Sequence, residues 1–387
     1  QYLNCIKKCA KGAKEVILAT DYDVEGETIG WNIVRFGLGK KSAARMKFST
    51  TTKEDLLNAY EKKKKSLDIK MAESGVTRHE LDFFWGINLS RALTLALKSA
   101  MGGFRVLSSG RVQGPALKIL VEREKEIAKF KPVPYWELEL ICKELSAWHK
   151  EGKFWEKKNV DVIVKKCKGK GAKVAKVARK KFKHDAPHPF DLTSLQVEAY
   201  RLFRIQPKET LAIAQELYSN SYISYPRTSS NQLSDKIGYA KILKAISKQD
   251  FYRDLCKDLL KKKTLKPNNG KKKDAAHPAI YCTGEVPKKL EGREMKVYDL
   301  IVKRFMSTFA ESAVRESMTV TVDCGGEDFL AKGVRTVEEG WYKYYRPYVK
   351  VEEQEFVVEE GAKLNVKELK LHSKETQPPK RYTPASI

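Results

Sequence analysis

The sequence predicts a multidomain chain with α/β, helical and β-rich parts, and three patterns carry that expectation. Residues 15–21, EVILATD, are an apolar run closed by an acid, followed by GETIGWNIVRFGLG with the apolar spacing of a helix. Helical periodicity then dominates residues 51–130 and returns from LTSLQVEAYRLF through PKETLAIAQELYSN to about residue 263. Alternating strand patterns occupy two separated places: YWELELICKEL after Pro132 and Pro134, and later SMTVTVDC, DFLAKGVR and AKLNVKELKLHS. Such an order suggests one β domain assembled from two segments.

Taken in chain order, the first strand, acidic loop and helix form a βα unit, which places a site at the carboxyl end of the strand. Residues 153–183 are dense in lysine and include the β-branched pieces VDVIVKK and AKVAKVA, which read as a solvated strand surface or loop. KPNNGKKKDA reads as a flexible basic loop and EMKVYDLIVKRFMSTFAES as an amphipathic helix. No internal repeat is present.

The chain carries 75 Lys+Arg against 49 Asp+Glu, a formal charge of +26 and a pI near 9.6. That excess favours polyanionic partners, nucleic acid first. No apolar run approaches the ~20 residues that cross a bilayer, and QYLNCIKKCAKGAKEV lacks the apolar core of a signal peptide. The expectation is an intracellular protein without membrane contact, cytoplasmic and nucleoid-associated. Its seven cysteines, odd in number and without CxxC spacing, predict reduced thiols and no zinc ribbon. With Gln1 in place of methionine and RYTPASI stopping as a helix begins, both ends read as cut.

DYDVEGE puts Asp21, Asp23, Glu25 and Glu27 within seven residues of a basic protein. Carboxylates this close repel one another unless a cation or solvent compensates, and oxygen-only donors suit Mg²⁺. Acids favoured by a helix dipole, at ~0.3–1 kcal/mol each, explain the glutamates but not two aspartates leaving a buried strand. The pattern resembles the metal-binding signature of the TOPRIM fold shared by topoisomerases, primases and some nucleases.

NSYISYPRTSS, residues 220–230, reads either as a strand with aromatic packing or as a nucleophile with its helpers. A phenol with a pKa of ~10 needs a nearby cation or base to attack at neutral pH. Arg227 stands two residues beyond Tyr225, from where a guanidinium can hold phosphate oxygens bidentately. Thr228, Ser229 and Ser230 add donors for a DNA backbone.

YISYPRTSS resembles the active-site signature of type IA DNA topoisomerases, and TRHELDFFWGINLS, LSSGRVQGPALKILVEREKEIAKF, PHPFDLTSLQVEAYRLF, AQELYSNSYISY and AAHPAI follow that family's order. The flavour is closest to the archaeal topoisomerase I/III branch. Ser221 stands where many members have glycine, and Ser229 where bacterial members have aspartate. The resemblance implies an isomerase folded as a toroid with an incomplete TOPRIM domain, because the first TOPRIM strand, with a catalytic glutamate and a lysine, would precede Gln1. It divides the chain into a TOPRIM domain (1–63), a helical base (64–131), a first arch segment (132–187), a helical domain bearing the catalytic tyrosine (188–291), a second arch segment with its leading helix (292–372) and the start of a return to the base (373–387).

By the same resemblance Tyr225 attacks single-stranded DNA to give a 5′-phosphotyrosyl intermediate, Arg227 stabilises the phosphate and His277 assists. Asp21, Asp23 and Glu25 would hold Mg²⁺ that orients the 3′ hydroxyl for resealing. Ser109, Arg111, Gln113 and Thr228 would bind DNA, while Arg78 and Asp82 form a structural i,i+4 pair. Storing the bond energy covalently makes ATP unnecessary, and no GxxxxGK[ST] loop occurs. The expected partners are single-stranded and negatively supercoiled duplex DNA, relaxed or decatenated by a monomer with a possible helicase partner. Alternatives are the topoisomerase half of a reverse gyrase and a non-catalytic single-strand-binding fragment.

Overall fold

Residues 2–387 are described by a computed structural model and divide into two compact units. The first comprises residues 2–121, 188–306 and 382–387; the second comprises residues 122–187 and 307–381. No described helix is long and apolar enough to cross a membrane.

The first unit opens with α1 (Tyr2–Ala10), β1 (Ile17–Leu18), α2 (Val24–Asn32) and β2 (Ala44–Arg45). β1 pairs in parallel with β2 through Ile17↔Ala44 and Leu18↔Arg45, so the EVILATD run contributes a two-residue strand. Asp23 caps α2 by accepting the Gly26 N–H at 2.7 Å. A glycine is required at Gly26 because a Cβ there would lie 2.0 Å from the Asp21 carbonyl oxygen. The helix start therefore presses directly on the acidic loop. Beyond Asn32 the helix widens into a π-turn over Ile33–Gly37, whose Leu38 N–H closes on the Ile33 carbonyl at 3.0 Å.

Thr52 caps α3 (Lys53–Glu61), and Asp68 caps the 33-residue α4 (Ile69–Met101), which ends on the left-handed Gly102. α2 crosses α4 so closely that a Cβ on Gly75 would meet the Thr28 hydroxyl at 1.9 Å. α5 (Gln113–Lys129) follows.

The second unit takes in the last turns of α5 and then β3 (Pro134–Cys142), β4 (Ser146–His149), α6 (Lys157–Cys167) and β5 (Ala172–His184). VDVIVKK lies in α6, not in a strand or loop. Its β-branched content suggests a strand, but its buried residues Val160, Ile163 and Cys167 recur at helical spacing, and burial against the sheet outweighs propensity.

Within the first unit, α7 (Leu192–Phe203) starts on a capping box between Asp191 and Ser194. α8 (Pro207–Ser219), α9 (Tyr239–Ile246) and α10 (Arg253–Leu260) follow, and α11 (Gly292–Ser307) comes next. KPNNGKKKDA is held by hydrogen bonds rather than loose: Asn269 exchanges bonds with both backbone groups of Leu233 at 2.8 and 3.0 Å, and Gln232 donates to the Gly270 carbonyl at 2.7 Å.

The remainder of the second unit supplies β6 (Ala313–Cys324), β7 (Glu327–Glu338), α12 (Tyr342–Tyr345), β8 (Lys363–Leu364) and β9 (Val366–Glu375). Seven strands join in the order β8-β5-β6-β7-β4-β3-β9, every neighbouring pair antiparallel, so both chain segments build one sheet. Leu138, Leu140, Val320, Val322 and Phe329 form its buried face, with Val160 and Ile163 of α6 against it.

YISY is not a strand. Ile223 makes a single bridge to Cys282, and the preceding Ser221 takes a left-handed backbone with φ of 66°. A non-glycine residue there costs roughly 1–2 kcal/mol, which the Ser221 hydroxyl partly offsets by donating to the Thr51 carbonyl at 2.9 Å. Ser221→Gly exchanges strain for that bond and is expected to stay within about 1 kcal/mol of the native stability. Ser221→Val keeps the strain and loses the bond, so its unfolding midpoint in urea should fall clearly below that of the glycine variant. Equal midpoints for the two would contradict the strained turn.

Candidate active site

Tyr225 and the acidic loop meet although 202 positions separate Tyr225 from Asp23. The Tyr225 phenol donates to Asp23 Oδ2, while Asp23 Oδ1 accepts the Gly26 N–H at 2.7 Å. Beside it, Tyr218 at the end of α8 donates to Asp21 Oδ1 at 2.9 Å. The two tyrosine rings meet edge to face with centroids 5.2 Å apart. Each phenol thus rests on one aspartate of the DxD pair.

Several backbone bonds fix Tyr225. Its N–H donates to the Ser49 carbonyl at 2.8 Å, and the Ser224 N–H donates to the Tyr281 carbonyl at 2.8 Å. Ser224 Oγ in turn accepts the Tyr281 N–H at 3.0 Å. AAHPAI therefore runs beside the tyrosine segment, and the His277 ring lies tilted against that of Tyr225 with centroids 4.5 Å apart.

The tautomer of His277 follows from its partners. A carbonyl only accepts, so Nε2–H donates to the Tyr22 carbonyl at 3.1 Å, leaving Nδ1 to accept from the Ser49 hydroxyl at 2.9 Å. Burial holds the imidazole below its ordinary pKa, so the ring is neutral and both nitrogens are engaged. Asp274 secures the loop before it by accepting the N–H groups of Ala276 and His277 at 2.8 and 3.2 Å.

Only 1% of Tyr225 is exposed. Burial first, then the Asp23 hydrogen bond and the charges of Asp23 and Asp21, push its pKa well above the ordinary phenol value. Arg227 is the cation that opposes them. In this closed arrangement the phenol stays protonated. Arg227 itself is exposed and, among the described residues, is held only by a 3.4 Å bond from its Nε to Gln215, which leaves most of its guanidinium donors for an incoming anion.

Thr228 is buried, and its hydroxyl donates to the His277 carbonyl at 3.4 Å and accepts the Ser230 N–H at 3.1 Å. Its hydroxyl is spent inside the loop in this arrangement, not presented to a phosphate. Glu25 turns away from the two aspartates toward α4, pairing with His79 at 2.9 Å and Arg78 at 3.4 Å. The chain of charge continues from Arg78 to Asp82 at 3.9 Å and from Asp82 to Arg111 at 2.7 Å. The Arg111 hydrogen bond holds the Asp82 carboxyl below its usual range. Arg78 and Asp82 are indeed an i,i+4 pair, and Arg111 ends a polar path that begins at the acidic loop. Ser109 is anchored by its N–H to Ser90 Oγ at 2.9 Å, and Gln113 is exposed at the start of α5.

The aspartates suit a hard cation in number and chemistry, since Mg²⁺ needs only one or two protein carboxylates and completes its shell with water or phosphate. Among the described residues, however, no three acidic, histidine or cysteine side chains converge as a ready ligand set, and Glu25 is committed to two basic partners. Asp21 and Asp23 offer oxygens of the right chemistry, each now accepting a phenol; a third ligand from Glu25 requires breaking its pairs.

Beneath the loop lies an ion pair that sequence reasoning missed. Glu27 and Arg45 are fully buried and joined at 2.7 Å. Arg45 also donates to the carbonyls of Thr20 at 2.7 Å, Met46 at 2.8 Å and Asp21 at 2.8 Å, while Glu27 Oε1 accepts the Asp68 N–H at 2.6 Å. The guanidinium is the clamp that shapes the backbone carrying Asp21.

A DNA topoisomerase family model matches residues 66–387, and a Toprim domain model matches residues 1–51. DNA topoisomerase 1 of Pyrococcus horikoshii is 45% identical over all of this chain and 58% of that protein. DNA topoisomerase 1 of Methanothermobacter thermautotrophicus is 46% identical over all of this chain and 54% of that protein. Among solved structures, full-length topoisomerase I from Thermotoga maritima superposes with a TM-score of 0.79 at 27% identity, covering all of this chain and 64% of that one. The chain belongs to the type IA DNA topoisomerases. It spans a little over half the length of the two archaeal relatives.

Proposed function

We propose that this chain carries the cleavage and resealing centre of a type IA topoisomerase, acting on single-stranded DNA without ATP and relaxing negatively supercoiled duplex. The observation that carries the proposal is the Tyr225 phenol seated on Asp23 of the Toprim loop. A nucleophile and an acid from distant segments share one hydrogen bond, beside an exposed guanidinium.

In the forward step Tyr225 Oη attacks the scissile phosphorus, the P–O3′ bond breaks, and the 5′ phosphate becomes a tyrosyl ester. Asp23 Oδ2, which accepts the phenol now, is placed to take its proton. Arg227 offers charge-assisted donors to the phosphate oxygens. The proton passes from Asp23 through solvent to the leaving 3′ oxygen, which restores the Asp23 carboxylate, and resealing runs the same exchange backwards. His277, neutral and locked, supports the Tyr225 ring rather than supplying charge. Mg²⁺ held by Asp21 and Asp23 would supply positive charge near the 3′ hydroxyl during resealing. Since Tyr225 is buried, access by DNA requires the tyrosine segment to part from the acidic loop.

End-labelled single strands test the polarity. A 3′-labelled oligonucleotide should carry its label onto the denatured protein, while a 5′-labelled one should release a shorter free strand. Asp21→Asn should slow resealing of the adduct more than its formation. Label transfer from the 5′ end instead would overturn the 5′-phosphotyrosyl assignment.

A further inference from the structure

The second unit carries a basic edge that nothing in the cleavage centre uses. Residues 165–184 hold ten lysines and arginines and no aspartate or glutamate. Lys166 pairs with Glu327 at 2.7 Å, and Arg179 pairs with Glu316 at 3.3 Å and Glu355 at 3.9 Å. The other eight, all exposed lysines, make no ion pair among the described residues. Such a density of unpaired positive charge attracts a polyanion.

The strand geometry sharpens this. β5 pairs with β6 along its whole length, but β8 covers its opposite edge only at Ala172 and Lys173. Val174 still exchanges backbone bonds with Gly361 and Ala362, at 2.8 and 2.9 Å; beyond it, as far as His184, no described strand pairs with that edge. The Val177 N–H points out of it and donates to Glu360 Oε1 at 2.8 Å. An anionic oxygen thus already occupies one edge donor. Because every second residue of a strand turns its N–H to the same side, Arg179, Lys181 and Lys183 present theirs along the same edge. Lys176, Lys180 and the 41% exposed Phe182 lie on one face of the strand, and Lys181 and Lys183 on the other. Charge flanks the row of amides on both sides.

We propose that this edge of β5 is a second, sequence-independent DNA-backbone site, separate from the strand cleaved at Tyr225. Phosphate oxygens take the edge amides as Glu360 takes that of Val177, the lysines neutralise neighbouring phosphates, and Phe182 offers a stacking face to an unpaired base. The identity of the polyanion as DNA rests on the topoisomerase reading above. The competing explanation is that lysines merely guard an open edge against strand pairing with another chain. Glutamates guard an edge equally well but repel DNA, which separates the two roles.

The test uses the full chain with all four of Lys176, Lys180, Lys181 and Lys183 changed to Glu, and binding is read by fluorescence anisotropy in EDTA. For a labelled single strand about 40 nucleotides long, affinity should fall by about tenfold or more, and the slope of log affinity against log salt should shrink by roughly 3, near 0.7 per lost phosphate contact. Circular dichroism and sedimentation should remain those of the wild type, and adduct formation on a short oligonucleotide should persist. Unchanged affinity and slope in the folded variant would leave edge protection as the lysines' role and overturn the proposal. Tighter binding of the wild type to polyglutamate than to DNA would overturn the choice of partner. If the wild type forms no adduct while long-strand binding still depends on the four lysines, the cleavage reading fails and the second site stands.

Discussion

Tyr225→Phe is expected to abolish the covalent DNA adduct completely while leaving the fold in place. The phenylalanine ring retains the faces that meet Tyr218 and His277, and the backbone bonds to Ser49 are untouched. What disappears is one hydrogen bond to Asp23, worth at most about 1.5–3 kcal/mol for a bond to a charged group. Non-covalent binding of single strands should persist, because the Arg227 guanidinium is unaffected. A gel showing protein-linked label at wild-type levels in the phenylalanine variant would remove Tyr225 from the chemistry.

The second large effect concerns stability and lies under the acidic loop. Glu27→Ala is expected to destabilise the first unit by about 3–5 kcal/mol, since it strands the Arg45 guanidinium, fully buried, without its carboxylate. The double variant Glu27→Leu with Arg45→Met removes both charges and should recover much of that loss. Recovery should be confined to stability. Arg45 also holds the Thr20 and Asp21 carbonyls, so the double variant is expected to fold yet reseal DNA poorly. Urea unfolding and adduct reversal, measured on the same preparations, separate the two. Full recovery of resealing would show that the clamp does not shape the loop.

These two sites differ in how far they can be read from sequence. DYDVEGE and YPRTSS announce themselves because their residue types are costly or unusual in their surroundings, and the structure brings Tyr225 onto Asp23. Glu27 lies inside the same acidic run, where the helix dipole accounts for it without any partner. Only the crossing of α2 and β2 reveals that Arg45 is its partner. Tyr218 and Ser49 were missed for a related reason. Seven positions before Tyr225 on an amphipathic helix, Tyr218 looks like packing, and Ser49 sits in an ordinary run of hydroxyls. Their roles come from contacts of long sequence separation, which no local pattern records.

The fold shows the same division. Alternating apolar runs in YWELELICKEL and SMTVTVDC appear as β3 and β6, where period 2 meets a half-buried sheet. In VDVIVKK two local signals disagree, β-branched composition and helical spacing of apolar residues, and the spacing decides. Tyr222 packs against Tyr298 with centroids 6.4 Å apart, so aromatic packing does occur in this stretch, but on a bridged turn rather than a strand. The left-handed Ser221 explains the difference, because a strand cannot continue through that backbone.

Tyr225, not one of its neighbours, is expected to carry the DNA. Trapping the adduct with denaturant, digesting the protein and DNA, and sequencing the modified peptide by mass spectrometry reads this directly. A nucleotide phosphodiester on Tyr225 is the predicted result; the same modification on Tyr218 or Tyr222, with Tyr225 unmodified, would contradict it.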